Sequence, residues 1–175
     1  MKKKLKKNKG ILFWVTGISG SGKTTIAKKL KKRISKLYGP TIVISGDDLR
    51  KIFKLHGYKK QDRIENARKF AKLCKFITNQ KINIIFAVVC MFEKIRNIFK
   101  KEIANFFLIY IKSDINKIIK MKRKKMYFKY KNDIVGIDIK PEFPKKTDIT
   151  VKNYLNRDID DIKKEIENTI IKLIN

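Results

Sequence analysis

Gly17-Ile18-Ser19-Gly20-Ser21-Gly22-Lys23-Thr24 carries the strongest chemistry in the chain. It is an instance of G-x-x-x-x-G-K-[ST], and its positions have physical reasons. Glycine-rich backbone lets successive N–H groups converge on one point, where phosphate oxygens can accept from them. A helix starting directly after the loop adds the partial positive charge of its N-terminus. Lys23, in a solvent-facing loop, is then expected to reach the β- and γ-phosphates, and the Thr24 hydroxyl to ligate Mg²⁺. Gly17, Ser19, Gly20, Ser21, Gly22, Lys23, Thr24 and Thr25 together form the predicted ATP-binding set. The motif has this meaning only between a strand and a helix, so its flanks decide whether it is real.

Both flanks are present. Ile11 to Thr16 is a short continuous apolar run ending at Gly17, the pattern of a strand buried on both faces. From Thr24 to about Leu37, the apolar positions Ile26, Ala27, Leu30, Ile34 and Leu37 recur at helical spacing with lysines between them. Gly39-Pro40 stops that helix, and Thr41 to Ser45 reads as a second strand. Residues 62–80 predict a helix with Ile64, Ala67, Phe70, Ala71, Cys74 and Ile77 on one face and Asp62 as N-cap. Ile84 to Val89, Phe106 to Ile111 and Ile149 to Val151 predict three more strands. Asp158 to Ile174 is an amphipathic helix with Ile159, Ile162, Ile166, Ile170 and Leu173 toward the core.

Strands alternating with helices predict an α/β fold: one domain with a mostly parallel five-stranded sheet flanked by helices. Residues 1–9 read as a basic tail and 10–175 as the domain. Residues 113–147 break the alternation. There a helix over Ile115 to Met121 leads into Lys120, Lys122, Arg123, Lys124, Lys125, Lys129 and Lys131 before Gly136, Pro141 and Pro144. Such an insert near a phosphate site reads as a basic lid, or as a solvated charged helix and loop.

The 175 residues include 45 Lys or Arg against 16 Asp or Glu, a formal net charge of +29, with 43% apolar residues. That apolar share excludes a disordered basic tail as the whole molecule. A polyanion partner is the first thought such a charge raises. Against it, only seven of the cations are arginine, and bidentate recognition of phosphates and bases leans on the arginine fork. Abundant Lys with Ile and Asn also fits an AT-rich coding sequence, so specific nucleic-acid binding is not expected. Cys74, Cys90 and the single His56 match no zinc spacing and read as reduced thiols and a lone histidine in a cytoplasmic protein. The apolar run after the Lys-rich start is too short for a leader, and no stretch approaches the roughly 20 residues of a membrane span.

A small kinase remains among nucleotide-binding classes. No N-K-x-D follows a later strand, as guanine reading requires, and the chain is too short for a motor or helicase. The second strand ends in Ser45-Gly46-Asp47-Asp48-Leu49-Arg50, followed by His56-Gly57-Tyr58 and Asp62-Arg63-Ile64-Glu65-Asn66-Ala67-Arg68. With the loop, these segments resemble the adenylylsulfate kinases, which carry G-D-N-[LV]-R, L-G-F and D-R-x-E-N-x-R in this order. Lys124 to Tyr127 is similar to that family's K-G-L-Y lid segment, and Val135-Gly136-Ile137-Asp138 with Glu142 and Pro144 to its T-G-I-D-x-x-x-E-x-P. The resemblance runs from about residue 11 to 151.

Carried over, it implies that Asp47 orients or deprotonates the attacking hydroxyl and helps hold Mg²⁺ with Thr24. Arg50, Arg63 and Asn66 would grip an acceptor nucleotide, and Tyr58 would stack on its base. Lys124 would close with the lid onto negative charge. The implied reaction moves the γ-phosphoryl of ATP to the 3′-hydroxyl of a nucleotide carrying a small 5′-linked oxyanion, adenylylsulfate first; the implied partner is that small-molecule nucleotide, and the resemblance leaves room for a homodimer.

The resemblance departs at the acceptor side. Ser45 stands where the family has the first Asp of D-G-D. Val89-Cys90-Met91-Phe92 replaces the I-S-P-[FY] that lines the acceptor pocket. Met121, Lys122 and Lys125 occupy the places of the lid's Arg, Asp and Gly. A cytidine diphosphoramidate kinase of capsule modification, a polynucleotide end kinase and a catalytically idle nucleotide-binding partner therefore stay open as alternatives.

Overall fold

A computed structural model describes residues 2–121 and 133–174. Lys122, Arg123, Lys124, Lys125, Lys129 and Lys131, and with them the centre of the expected lid, lie outside the described residues.

The elements run β1 (Leu12–Thr16), α1 (Lys23–Tyr38), β2 (Thr41–Ser45), α2 (Gly46–Ile52), α3 (Lys60–Asn79), β3 (Asn83–Val88), α4 (Glu93–Glu102), β4 (Phe106–Lys112), α5 (Ile115–Lys120), β5 (Ile149–Lys152) and α6 (Ile159–Ile174). The five strands form one sheet in the order β2-β3-β1-β4-β5, and every pairing is parallel rather than mostly so. Parallel neighbours need crossovers, and the helices that make them cover both faces.

Strand alternation divides the core in two. Phe13 and Val15 of β1 point into one layer with Ile26, Leu30 and Ile34 of α1 and Ile162, Ile166 and Ile170 of α6. Leu12 and Trp14 point the other way, into a layer with Phe70 and Cys74 of α3 and Ile95 and Phe99 of α4. Trp14 lies 4.5 Å from Phe99 and 5.6 Å from Phe106 between ring centroids, so aromatic packing fills this second layer. Connections from β1 and β3 leave toward opposite faces, which opens a crevice at their C-terminal ends.

Several local expectations need correction. Asp62 is not the N-cap of α3, which begins two residues earlier. It sits a turn inside, where its carboxylate accepts from the Lys59 N–H at 3.0 Å. Leu37, in the last turn of α1, is 38% exposed rather than facing the core. α2 and α4 were not foreseen. The first residues are tied down: Lys3 N–H donates to the Leu173 carbonyl at 2.7 Å, and its ammonium pairs with Asp148 at 2.7 Å. Asn105 accepts from Lys6 N–H and donates to the carbonyls of Lys6 and Lys9. Cys74 and Cys90 are buried and unbridged, as expected of reduced thiols, and burial pushes both up to about 12.

Candidate active site

β1 ends at Thr16 and α1 begins at Lys23, so the loop between them hangs over the C-terminal edge of the sheet. Gly22 takes φ 87°, a left-handed conformation that favours glycine, and it stands at the N-cap of α1 with no side chain over the helix end. Gly17 is held by close approach, since a Cβ there would lie 2.7 Å from the Ile111 carbonyl oxygen. Lys23 is not in a solvent-facing loop. It is the first residue of α1, only 7% exposed, and its ammonium turns back to donate to the Ile18 carbonyl at 2.7 Å. A buried ammonium needs such a carbonyl, and the loop supplies it from within.

Asn153, just past β5 and 1% exposed, donates from Nδ2 to the Ser21 carbonyl at 3.1 Å. This fixes the loop to the sheet across 132 residues of sequence. No local pattern announces it, because an asparagine after a short strand looks like any other turn residue.

α2 opens directly from β2. The Ser45 hydroxyl accepts from Asp48 N–H at 3.1 Å and donates to Asp48 Oδ2 at 2.6 Å, while Ser45 N–H donates to the same carboxylate at 3.2 Å. This is a capping box built from Ser45 and Asp48, and the Ser45 hydroxyl bond holds the Asp48 carboxyl below its usual range. The S-x-x-D spacing was the missed signal for α2. It also accounts for Ser45: the acid expected at position 45 is absent, and an acid stands one helical turn on, where the family pattern has Asn. Asp47, next to the cap, is solvent-facing.

Beyond α2 the chain turns at Gly57 and enters α3. Arg50 Nη1 donates to the Gly57 carbonyl at 2.8 Å, and Arg63 Nε to the Tyr58 carbonyl at 2.6 Å. The Tyr58 ring then has the Arg50 guanidinium 4.1 Å and the Arg63 guanidinium 5.5 Å from its centroid. Arg63 also donates from Nη2 to the Asp133 carbonyl at 2.9 Å. No carboxylate among the described residues lies within ion-pair distance of either arginine. Burial first, and the charge of Arg50 second, lower the pKa of Arg63. Two neighbouring cations whose contacts among the described residues are carbonyls and a ring form a place that an anion would stabilise.

One cavity of about 340 Å³ joins these parts. Ser19, Gly20, Gly22, Lys23, Thr24 and Thr25 line it on the loop side, with Asp47. Arg50, Tyr58, Arg63, Asn66, Val89 and Cys90 line it on the other. Gly17 and Ser21 are buried away from that wall. Lys124 lies outside the described residues. Ile134 and Val135, not among the expected site residues, also line the cavity and come from within the expected lid, residues 113–147. Thr24 and Asp47 supply a hydroxyl and a carboxylate to the same space. Mg²⁺ takes one or two carboxylates and completes its shell with water and nucleotide phosphates, so this donor pair fits that ion. Among the described residues there is no group of three or more His, Cys, Asp or Glu able to hold a metal alone, and no helix long and apolar enough to cross a membrane.

Residues 9–152 match the family described as adenylylsulphate kinase. The chain is 33% identical to a cytidine diphosphoramidate kinase of Campylobacter jejuni over 89% of its own length and 93% of that protein's. It is 34% identical to an adenylyl-sulfate kinase of Clostridium acetobutylicum, over 87% of this chain and 80% of that one. Its fold superposes on the Mycobacterium tuberculosis APS kinase CysC, solved in complex with AMPPNP and APS, with a TM-score of 0.83 at 23% identity, covering 93% of this chain and 98% of the other. The chain belongs to the adenylylsulphate kinase family of phosphotransferases that act on an alcohol group.

Proposed function

We propose that this kinase transfers the γ-phosphoryl group of ATP to the 3′-hydroxyl of a nucleotide conjugate carrying a small 5′-linked oxyanion, with adenylylsulfate as the first acceptor to expect. The observation that carries the reading is the single cavity running from the phosphate loop to the arginine-flanked Tyr58. ATP would lay its phosphates on the N–H groups of Gly20 to Thr25, with the Lys23 ammonium released from the Ile18 carbonyl to the β- and γ-oxygens. Bound Mg²⁺, held through Thr24 and Asp47, would offset phosphate charge. Asp47 would accept the proton of the attacking hydroxyl. Arg50 and Arg63 would meet the acceptor's anionic groups, Tyr58 would stack on its base, and Asn66 would hydrogen-bond to it. Lys124 would bring further positive charge. Positioning and charge compensation suffice for such a transfer.

A second acceptor, cytidine diphosphoramidate, is favoured by two observations. Val89-Cys90 replaces the family's pocket residues at the cavity wall, and the similarity to the Campylobacter jejuni kinase spans 93% of that protein. Purified protein with ATP and Mg²⁺ against adenylylsulfate, cytidine diphosphoramidate and a short oligonucleotide separates the readings. Turnover of either conjugate is expected. Phosphorylation of the oligonucleotide alone would overturn the proposal.

A further inference from the structure

Glu142 is engaged by every polar group it has. Its carboxylate accepts from the Glu93 N–H at 2.7 Å through Oε2 and from the Lys60 ammonium at 3.1 Å through Oε1. Its backbone N–H donates to the Met91 carbonyl at 2.7 Å, and its carbonyl accepts from Arg96 Nη1 at 2.7 Å. The first of these bonds answers a local deficit. The residue before α4 is Phe92, whose side chain cannot cap, so the helix start takes its acceptor from 49 residues away. A carboxylate there also meets the positive end of the helix, and the Lys60 ammonium that binds it stands 5.2 Å from the Phe92 ring centroid. Arg96 is 9% exposed, so its contact with the Glu142 carbonyl is mostly shielded from water.

What this clamp holds is part of the cavity. The stretch from Asp133 to Glu142 includes Ile134 and Val135 of the cavity wall. It is fixed at one end by Arg63, which donates to the Asp133 carbonyl at 2.9 Å, and at the other by Glu142. Between them the chain folds on itself: Asp138 Oδ2 accepts from Ile134 N–H at 2.9 Å and Val135 bridges to Ile139. Met91 and Glu93, which Glu142 grips, follow directly on Val89 and Cys90 of the opposite wall.

We propose that Glu142 is a positioning residue for the acceptor side, setting the distance between the wall at Ile134-Val135 and the wall at Val89-Cys90 by joining the start of α4 to the segment that returns from residue 133. The proposal rests on the acceptor reading of that cavity. The phosphate loop has its own anchor in Asn153, so donor binding is expected to be independent of Glu142.

Steady-state kinetics on Glu142→Ala, Glu142→Gln and Glu102→Ala test it. Glu102 pairs with Lys75 at the far end of the same two helices, α3 and α4, and serves as the control. Glu142→Ala should raise the acceptor KM about tenfold, the loss of roughly one charge-assisted hydrogen bond, while the KM for ATP stays near that of the unaltered protein. Glu142→Gln should recover most of the loss, because its amide oxygen can still accept from the Glu93 N–H. Glu102→Ala should change neither constant. Equal rises in both KM values, no rise at all, or no recovery with Gln would each overturn the clamp. Should Glu142→Ala fail to fold, Lys60→Met removes one partner only, and absence of the same split there counts against the idea.

If the unaltered protein phosphorylates none of the conjugates, the acceptor reading falls, and the clamp is read by hydrogen exchange instead. Amides of residues 91–96 and 133–142 should then exchange faster in Glu142→Ala, with residues 20–27 unchanged. Unchanged exchange at 91–96 would overturn it.

Discussion

The two halves of the cavity are built in different ways. The half proposed for the donor comes, Asp47 apart, from one stretch, Ser19 to Thr25, whose shape follows from glycine backbone and from where α1 starts. The half proposed for the acceptor gathers Arg50 from α2, Tyr58 from a turn, Arg63 and Asn66 from α3, Val89-Cys90 just past β3 and Ile134-Val135 from the later part of the expected lid. Local backbone chemistry shapes the first, with Asn153 anchoring it to the sheet, whereas the second is held together from many elements by long-range hydrogen bonds such as Arg63 to Asp133 and Glu142 to Glu93. A contiguous site tolerates change elsewhere in the chain. An assembled site can be retuned for a new acceptor by altering one contributor, and the departures from the family pattern lie mainly on that side.

Substitutions can break or sharpen this contrast. The largest effect is expected from Lys23→Ala, which should lower kcat about a thousandfold by removing charge from the transferring phosphoryl. Unchanged far-ultraviolet circular dichroism would show that the loss is chemical. Retention of near-normal turnover would mean the donor half is misassigned. Arg63→Ala comes next, with an acceptor KM raised about thirtyfold and the ATP KM little moved, since a bidentate guanidinium is lost from one half only. A matching rise for ATP would erase the distinction between halves.

Asn153→Ala should act in the opposite sense, weakening ATP more than acceptor and costing about 1 kcal/mol in urea unfolding, because the Ser21 carbonyl loses a buried donor. The smallest effect on activity belongs to Ser45. Ser45→Ala should cost about 1 kcal/mol of stability through the lost cap. Ser45→Asp would set two carboxylates against each other and cost more, whereas Ser45→Asp combined with Asp48→Asn should recover it, measured by thermal unfolding as a double-mutant cycle. The cap also has a pH signature. Asp48 is held below its usual range in the folded state, so its contribution is present above that range and fades as pH falls through it toward the lower folded value. Ser45→Ala should flatten that part of the stability profile.

The fold was largely legible because the signals are periodic. β2 was predicted over its whole length, Thr41 to Ser45, since a β-branched run between Gly39-Pro40 and Gly46 leaves little choice. α4 was not legible. Its start has no cap of its own in sequence, because the cap is Glu142. The burial of Lys23 is not legible in sequence, because a lysine in a polar loop looks hydrated and only the folded loop places the Ile18 carbonyl within its reach. Asp62 was misread as an N-cap because an acid at a helix start can serve at the cap or a turn inside it, and sequence does not separate the two.

The sequence by itself determined the α/β alternation, the family, and the position of the glycine-rich loop between β1 and α1, since each depends on neighbours along the chain. Only tertiary structure decided that two guanidiniums meet at the Tyr58 ring, that Asn153 holds the phosphate loop and Glu142 the segment after residue 133, and that Ile134 and Val135 form part of the cavity wall. The physical reason is that hydrogen bonds and ion pairs act over about 3 Å in space whatever the separation in sequence. Backbone conformation and apolar periodicity are written in adjacent residues, whereas partners brought together from 49 to 132 residues apart become partners only when the sheet is assembled.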